Sequence, residues 1–497
     1  MGFAIVNARL WGREGDAVVV KKGRIVGLGF EDSLRGEMVG VKVIDAEGGT
    51  VIPLLHDSHA HPQPVLPEVV DLRGVRSIEG VKKVLRSFKL RYKPKYIVGR
   101  GWDQELLSEG RMPTADDIDE VVRDVPVILV RVCGHVAVVN SRMLKLAEEA
   151  GLLPRYADFI EVVDGRATGV IYEGAIEAFK SLLPKPPDTD VIRGLRRLLT
   201  SYLRLGVGYV NFVSVGGDVA RLLSRALEGL KPGVRVGIYC SADEVAKGGL
   251  EHFSGVRLCG VKDFSDGSLG GRTAYLSSDY SDAPGVRGVL LLSKGRLGVL
   301  WRAVKGLGLQ LAIHAIGDEA IKRTISWARE LKIPGSYLRV EHASVTPPEV
   351  IESLRSYRPH VVVQPHFLVT DWWAYSRLGT RVKFLYAYRS LIDASLPLYG
   401  SSDYPVEPIN PYLSISAAVT RGMLQRYGVE EAITVEEAFE MYFRDPCFGL
   451  SRLRPGGEAD LALVDGDLSG VSGYDVSGIR PILVSVSGEL VQVAKDF

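Results

Sequence analysis

Residues 51–61 read VIPLLHDSHAH, an apolar run that ends in the pair His59 and His61. Side chains two positions apart lie on the same face of a β-strand, so both imidazoles can reach one ion. Neutral imidazole is a ligand that suits zinc and similar divalent metals. The stretch therefore predicts a buried strand with a metal site at its end.

Further potential ligands follow at wide intervals, each near the end of a strand-like segment: Lys262, His314, His342 and Asp403. A lone histidine in a barrel core is more often a hydrogen-bonded packing residue. Four histidines and an aspartate at strand ends outweigh that interpretation and predict metal ligation. The whole succession predicts a metal-dependent hydrolase.

The middle of the chain alternates strand segments with helical patterns, which favours a parallel sheet with crossover helices. The predicted strands are 51–59, 206–213, 234–241, 256–263, 309–314, 337–342, 360–365 and 396–403. Such an α/β pattern predicts a TIM (β/α)8 barrel, in which catalytic residues lie at the C-terminal ends of the strands. All six candidate ligands fall at such ends.

Short strands at both ends of the chain predict a small composite β-sandwich, formed by residues 1–52 together with 446–497. Residues 53–445 would form the barrel. About 145 residues separate the first two barrel strands, far more than a βα connection needs. An inserted subdomain is therefore predicted at about 62–190.

The 497-residue chain has a formal net charge of +1, which indicates neither a nucleic-acid partner nor an anionic membrane surface. No uncharged apolar stretch approaches ~18 residues, and no signal peptide is expected. The four cysteines lie far apart without a C-x-x-C motif, which favours reduced cysteines and a cytoplasmic location over a disulfide framework. The expected partner is a small-molecule substrate, and homo-oligomerisation stays open.

Several motifs are specific as a set: PLLHDSHAH at 53–61, GWDQ at 101–104, CGHVAVVNS at 133–141, GVKDFSDGSLGGRTA at 260–274, HAIGD at 314–318, VEHAS at 340–344, QPH at 364–366 and GSSDYPV at 400–406. Through these motifs the chain resembles the amidohydrolase superfamily over nearly its whole length, and most of all the branch of N-substituted formamide deformylase. The sequence departs from the usual motifs of this family at Leu54, His56, Leu106 and Leu107. These differences concern the choice of substrate more than metal binding.

The resemblance implies a role for each candidate ligand. The H-x-H pair, assisted by Asp403, would hold the more buried of two Zn²⁺ ions, and His314 and His342 would hold the more exposed one. Lys262 would be carboxylated and would bridge the two metals. A bridging hydroxide would be the nucleophile, and Asp403 would take its proton and pass it to the leaving group.

Candidate substrate contacts lie in the predicted insertion and around the barrel mouth. His135 is a candidate catalytic residue that would touch the substrate carbonyl, while Trp102 could form an aromatic wall and Asp103 a polar anchor. A purely structural role competes with each of these interpretations. Local salt bridges or capping compete in the same way for the other pocket candidates, Asp266, Arg272, Gln364 and His366.

The leading prediction is a hydrolase of non-peptide C–N bonds in an amide, N-formyl or cyclic amide group. An unmodified Lys262 could instead pair with Asp263 or Asp266, and the remaining one-metal site would suit a deaminase of an amino-heterocycle. A non-catalytic scaffold relative is disfavoured because the chain keeps all six candidate ligands.

Overall fold

Eight parallel strands form a nearly closed barrel in the computed structural model of this protein, which describes residues 2–66, 69–132, 134, 136–248 and 250–492. The barrel strands are β1 Leu55–Ala60, β2 Val207–Val215, β3 Arg235–Ser241, β4 Val256–Phe264, β5 Gln310–Ala315, β6 Leu338–His342, β7 His360–Val363 and β8 Leu398–Gly400. Each neighbouring pair from β1 to β8 is parallel. The predicted TIM barrel is confirmed.

The ends of two barrel strands differ from the prediction. The segment 51–59 is two strands, because Thr50–Pro53 belongs to the terminal sandwich and β1 begins at Leu55. The last predicted strand shortens to β8, because the chain leaves the extended conformation before Asp403, whose φ is +56°. The amide of Asp403 then donates to His59 O at 2.8 Å, which links the segment after β8 to β1.

Helices follow the barrel strands, and several begin at residues that satisfy free N–H groups. Thr434 and Glu437 form a capping box at one helix, and Ser293 accepts a hydrogen bond from the amide of Arg296 at another. The helices around the barrel are Asp188–Arg204, Gly217–Leu227, Ala242–Ala246, Lys294–Val304, Asp318–Glu330, Pro348–Tyr357, Phe367–Thr370, Ala374–Leu378, Tyr388–Asp393, Pro411–Thr420 and Val435–Tyr442. The short helix Glu31–Leu34 instead packs against the N-terminal strands Ala17–Lys21 and Arg24–Gly29. Among the described residues, no helix is long and apolar enough to cross a membrane.

Two sheets drawn from both ends of the chain share one hydrophobic core, in which Ile5 and Val18 join Leu461 and Leu463. This is the composite β-sandwich expected from the termini. In spatial order, the first sheet contains Arg24–Gly29, Ala17–Lys21, Gly2–Val6 and Lys42–Asp45. The second contains Arg9–Leu10, Thr50–Pro53, Leu461–Val464, Pro481–Val486 and Glu489–Gln492.

Residues 64–194 form a compact unit of their own, and residues 1–63 with 195–497 form the other. An insertion was expected at about 62–190. The strands of this unit, in spatial order, are Ile160–Val163, Arg166–Tyr172, Val136–Val139, Val127–Arg131, Ile97–Trp102 and Val69–Asp71. Its helices are Ile78–Tyr92, Ala115–Asp119, Ser141–Glu149, Leu152–Arg155 and Gly174–Lys180.

A disulfide joins Cys259 in β4 to Cys447, 188 residues later. Cys447 lies in the turn of a small hairpin, where Arg444–Asp445 pairs with Gly449–Leu450. The expectation that the cysteines stay reduced is therefore wrong for this pair, because residues distant in sequence meet at the barrel. The cytoplasmic location stays a prediction.

Candidate metal centre

The H-x-H pair, with His59 in β1 and His61 just after it, meets Asp403 at the C-terminal end of the barrel. The Nε2 atoms of His59 and His61 lie 3.3 Å and 3.2 Å from the same carboxylate oxygen, Asp403 Oδ1. One ligand atom from each of the three residues lies within 4.8 Å of the others. Two imidazoles and one carboxylate at this spacing are typical of a site for zinc or a similar divalent ion.

The two later histidines lie beside this group. The ring centroids of His314 and His342 are 4.4 Å apart, and that of His342 is 5.0 Å from His59. His342 ends β6 with φ of +73°, a left-handed conformation that breaks the alternation of side chains along the strand. Nδ1 of His342 bonds to Gln364 Oε1 at 2.8 Å, while Nε2 of His314 bonds to the carbonyl oxygen of Gly267 at 2.8 Å.

Burial and charge leave this group as one ionised carboxylate among imidazoles. Burial lowers the pKa of His342 to about 3 and that of His314 well below its usual value. Burial would raise the pKa of Asp403, but the close contacts with His59 and His61 and the charge of His59 and His342 hold it well below its usual value. Burial would lower the pKa of His59, but its contacts with Asp403 and Glu341 raise it above its usual value, so a bound cation would take the place of a proton on this ring.

One ring nitrogen of His59 has no hydrogen bond among the described residues. Its Nε2 is buried and faces Asp403 without the angles of a hydrogen bond, although the distance is short. The opposite nitrogen, Nδ1, bonds to Glu341 Oε2 at 2.6 Å. A buried polar atom without a partner is costly, so this nitrogen fits a bound cation.

Lys262 lies near the end of β4 and is only 2% exposed. Burial lowers the pKa of its ammonium to about 8, although the charges of Glu341 and Asp403 oppose that shift. Its Nζ lies 4.0 Å from the centre of the Phe264 ring. A lysine with such a pKa is still mostly protonated near pH 7, but its neutral fraction is far larger than that of an ordinary lysine, and the neutral amine is the form that can react with CO₂.

Glu341 is a carboxylate at the site that the sequence prediction missed. It accepts a hydrogen bond from Nε of Arg339 at 2.7 Å, and Arg339 also donates to Ser58 O at 2.7 Å. Both side chains of this ion pair are fully buried. Burial would raise the pKa of Glu341, but the charge of Arg339 and the bond to His59 lower it to about 2. The ion pair therefore presents an ionised carboxylate to a candidate metal ligand.

Asp57, also missed, ties β1 to the segment that carries Asp403. Its carboxylate accepts from the amide of Ser402 at 2.9 Å, from the Ser402 hydroxyl at 2.5 Å and from the Tyr202 hydroxyl at 3.1 Å. Burial raises the pKa of Asp57 to about 6 in spite of these bonds. The single carboxylate inside HDSHAH was the available signal, because alternation places Asp57 on the same strand face as His59.

Asp266 and Arg272, predicted as pocket residues, are both engaged by neighbours. Asp266 is fully buried, and its carboxylate accepts backbone N–H bonds from Ile316, Gly317 and Tyr275 at 2.8 to 3.0 Å. Burial raises the pKa of Asp266 to about 7. Arg272 pairs with Asp282 at 2.9 Å. These contacts hold the loop between β4 and the next helix, and contact with a substrate stays a prediction.

Gln364 and His366 lie just beyond β7. Gln364 bridges two parts of the site, because its Oε1 accepts a hydrogen bond from His342 Nδ1 at 2.8 Å and its Nε2 donates to the Ser401 hydroxyl at 3.0 Å. His366 Nδ1 forms a short ion pair with Glu407, whose other oxygen accepts from Thr370 at 2.7 Å. Gln364 therefore orients a candidate ligand, while the contact of His366 with substrate stays a prediction.

The candidates in the unit of residues 64–194 have partners within that unit. Trp102 is fully buried in its core, and the indole N–H donates to Leu129 O at 2.7 Å. Asp103 accepts from Arg131 at 2.7 Å. These contacts explain the burial of both side chains, and their roles toward substrate stay predictions. His135, the candidate contact for the substrate carbonyl, lies outside the described residues.

Comparison with known proteins identifies the family. The amidohydrolase family matches residues 42–492. The chain is 30% identical to the putative amidohydrolase YtcJ of Bacillus subtilis (strain 168), covering 91% of this chain and 92% of that one. It is 25% identical to the N-substituted formamide deformylase of Arthrobacter pascens, covering 91% and 90%. An uncharacterized metal-dependent hydrolase from Pyrococcus horikoshii OT3 has a crystal structure that matches with a TM-score of 0.76 at 30% identity, over 95% of this chain and 99% of that one. The chain belongs to the amidohydrolase family.

Proposed function

We propose that this protein hydrolyses a C–N bond other than a peptide bond, in an amide, N-formyl or cyclic amide group of a small molecule. The observation that carries the proposal is that Nε2 of His59 and Nε2 of His61 both lie close to Oδ1 of Asp403, as ligands of one metal ion would. The likeness to N-substituted formamide deformylase supports an N-substituted amide as substrate. We also propose that two Zn²⁺ ions bind per chain.

The chain's own residues would divide the work. The H-x-H pair and Asp403 would hold one ion, and His314 and His342 would hold the other, with a carboxylated Lys262 between them. When bound, the metal would supply Lewis acidity toward the substrate carbonyl and toward a water molecule. Asp403 would accept the proton of the attacking water and return it to the leaving nitrogen as the C–N bond breaks.

A one-metal deaminase is a second candidate, and one observation favours it. Among the described histidines, cysteines and acidic residues, the group compact enough to hold an ion consists of His59, His61 and Asp403, without His314 and His342. In that case the compact group of His59, His61 and Asp403 would hold a single ion. The number of metals per chain separates the two candidates.

The test of the metal site is elemental analysis of the purified protein. We expect zinc or a similar divalent ion in the wild type, and loss of most of it in His59→Ala/His61→Ala. His252→Ala, at an exposed histidine, is the matched control and should keep the metal. A wild-type protein that contains no metal and resists reconstitution would contradict the proposal.

Replacing Lys262 distinguishes two metals from one. If the lysine is carboxylated, Lys262→Ala should lose one of two metals, and short carboxylic acids should partly restore activity by replacing the bridge. Intact-mass measurement of the native wild type should show the added mass of one CO₂. If the mass shows no added CO₂ and the protein binds one metal per chain, the one-metal deaminase is the better description of its function.

A further inference from the structure

An aromatic side chain that none of the proposed roles uses lies against two candidate ligands. Phe264 is the last residue of β4, two positions after Lys262, so the alternation of the strand places both on one face. Its ring centre is 4.0 Å from Lys262 Nζ and 5.3 Å from the ring centre of His314. Phe264 therefore borders the candidate metal centre directly.

The exposure of Phe264 differs from that of its surroundings. Its residue surface is 40% exposed, while Lys262 and His342 are at most 4% exposed. Phe212 in β2 is fully buried, as expected for a phenylalanine that only packs the barrel. A large apolar surface left open at the C-terminal end of a barrel strand lies where substrates of this fold bind.

We propose that Phe264 is a specificity-determining residue that contacts an apolar group of the substrate next to the scissile bond. The inference rests on the proposed function and narrows its substrate class to amides with an aromatic or bulky aliphatic substituent. Covering the exposed ring with such a group removes apolar surface of both partners from water and permits aromatic stacking. A small or charged substituent gains neither benefit.

The experiment compares two metal-binding probes that differ in one apolar group, acetohydroxamate and phenylacetohydroxamate. Calorimetry on zinc-loaded protein should show that the wild type binds the phenyl probe at least about tenfold more tightly, within the range expected for an apolar pocket contact. Phe264→Ala should lose most of that preference, and Phe264→Leu should keep part of it. Phe159→Ala, at a 41% exposed phenylalanine in the unit of residues 64–194, is the matched control and should keep it.

Metal content and thermal unfolding of each variant check that the site and the fold are intact. The inference is overturned if the wild type shows no preference for the phenyl probe, or if Phe264→Ala binds it as the wild type does. A fall in affinity for both probes together with metal loss would also overturn it, since Phe264 would then only support the ligands. If the preference depends on Phe264 but a panel of N-methyl and N-benzyl amides is not hydrolysed, the proposed function fails and the binding role stands.

Discussion

Asp403→Asn is expected to fold like the wild type, to keep at least one metal, and to lose at least ~10²-fold in turnover, the usual scale for a general acid–base group. Asparagine is nearly isosteric with aspartate but is a poor base. Because the pKa of Asp403 is held well below its usual value, the wild-type carboxylate is ionised throughout the neutral range and the loss should persist there. Steady-state kinetics on a substrate that the wild type hydrolyses, with metal analysis of the same samples, measures the effect.

Asp467→Asn provides the control, because Asp467 pairs with Arg9 in the terminal sandwich, away from the barrel mouth. Its turnover should equal that of the wild type. Near-normal turnover in Asp403→Asn would show that another group moves the proton, even with the metal ligands correctly assigned.

Arg339→Met should destabilise the fold by about 3–5 kcal/mol, the usual cost of leaving one partner of a buried ion pair without its counter-charge. The carboxylate left behind is Glu341, which is fully buried. Replacing both partners, as in Arg339→Met/Glu341→Leu, should recover much of that stability. The double variant should nevertheless bind zinc about 10–100-fold more weakly, because His59 loses the carboxylate that orients its ring.

Urea unfolding of the metal-free proteins and zinc titration of the folded ones separate these two effects. Arg355→Met is the control, because its partner Glu352 and the arginine itself are exposed, and it should change neither quantity appreciably. If the double variant binds zinc as tightly as the wild type, Glu341 does not position the His59 ring for metal binding. A stable Arg339→Met would mean that Glu341 needs no counter-charge.

Strand alternation was enough to predict the barrel and to place the H-x-H pair and the later histidines at the ends of its strands, because these residues end periodic apolar segments. It could not identify Glu341, since a carboxylate beside a histidine has no distinct local pattern. The role of Asp57 depends on Ser402, which is 345 residues away. Cys259 and Cys447 illustrate the same limit, because spacing along the chain carries no information about which cysteines meet in the fold.

The terminal sandwich has a consequence for synthesis on the ribosome. Thr50–Pro53 pairs with Leu461–Val464, about 400 residues later, and β1 begins two residues after Pro53. At typical rates of elongation, the partner strand emerges on the order of 20–80 s after the first one. Thr50–Pro53, which leads into the H-x-H motif, therefore stays unpaired on that side until Leu461–Val464 has been synthesised. A chaperone that shields this early segment would have that interval in which to act.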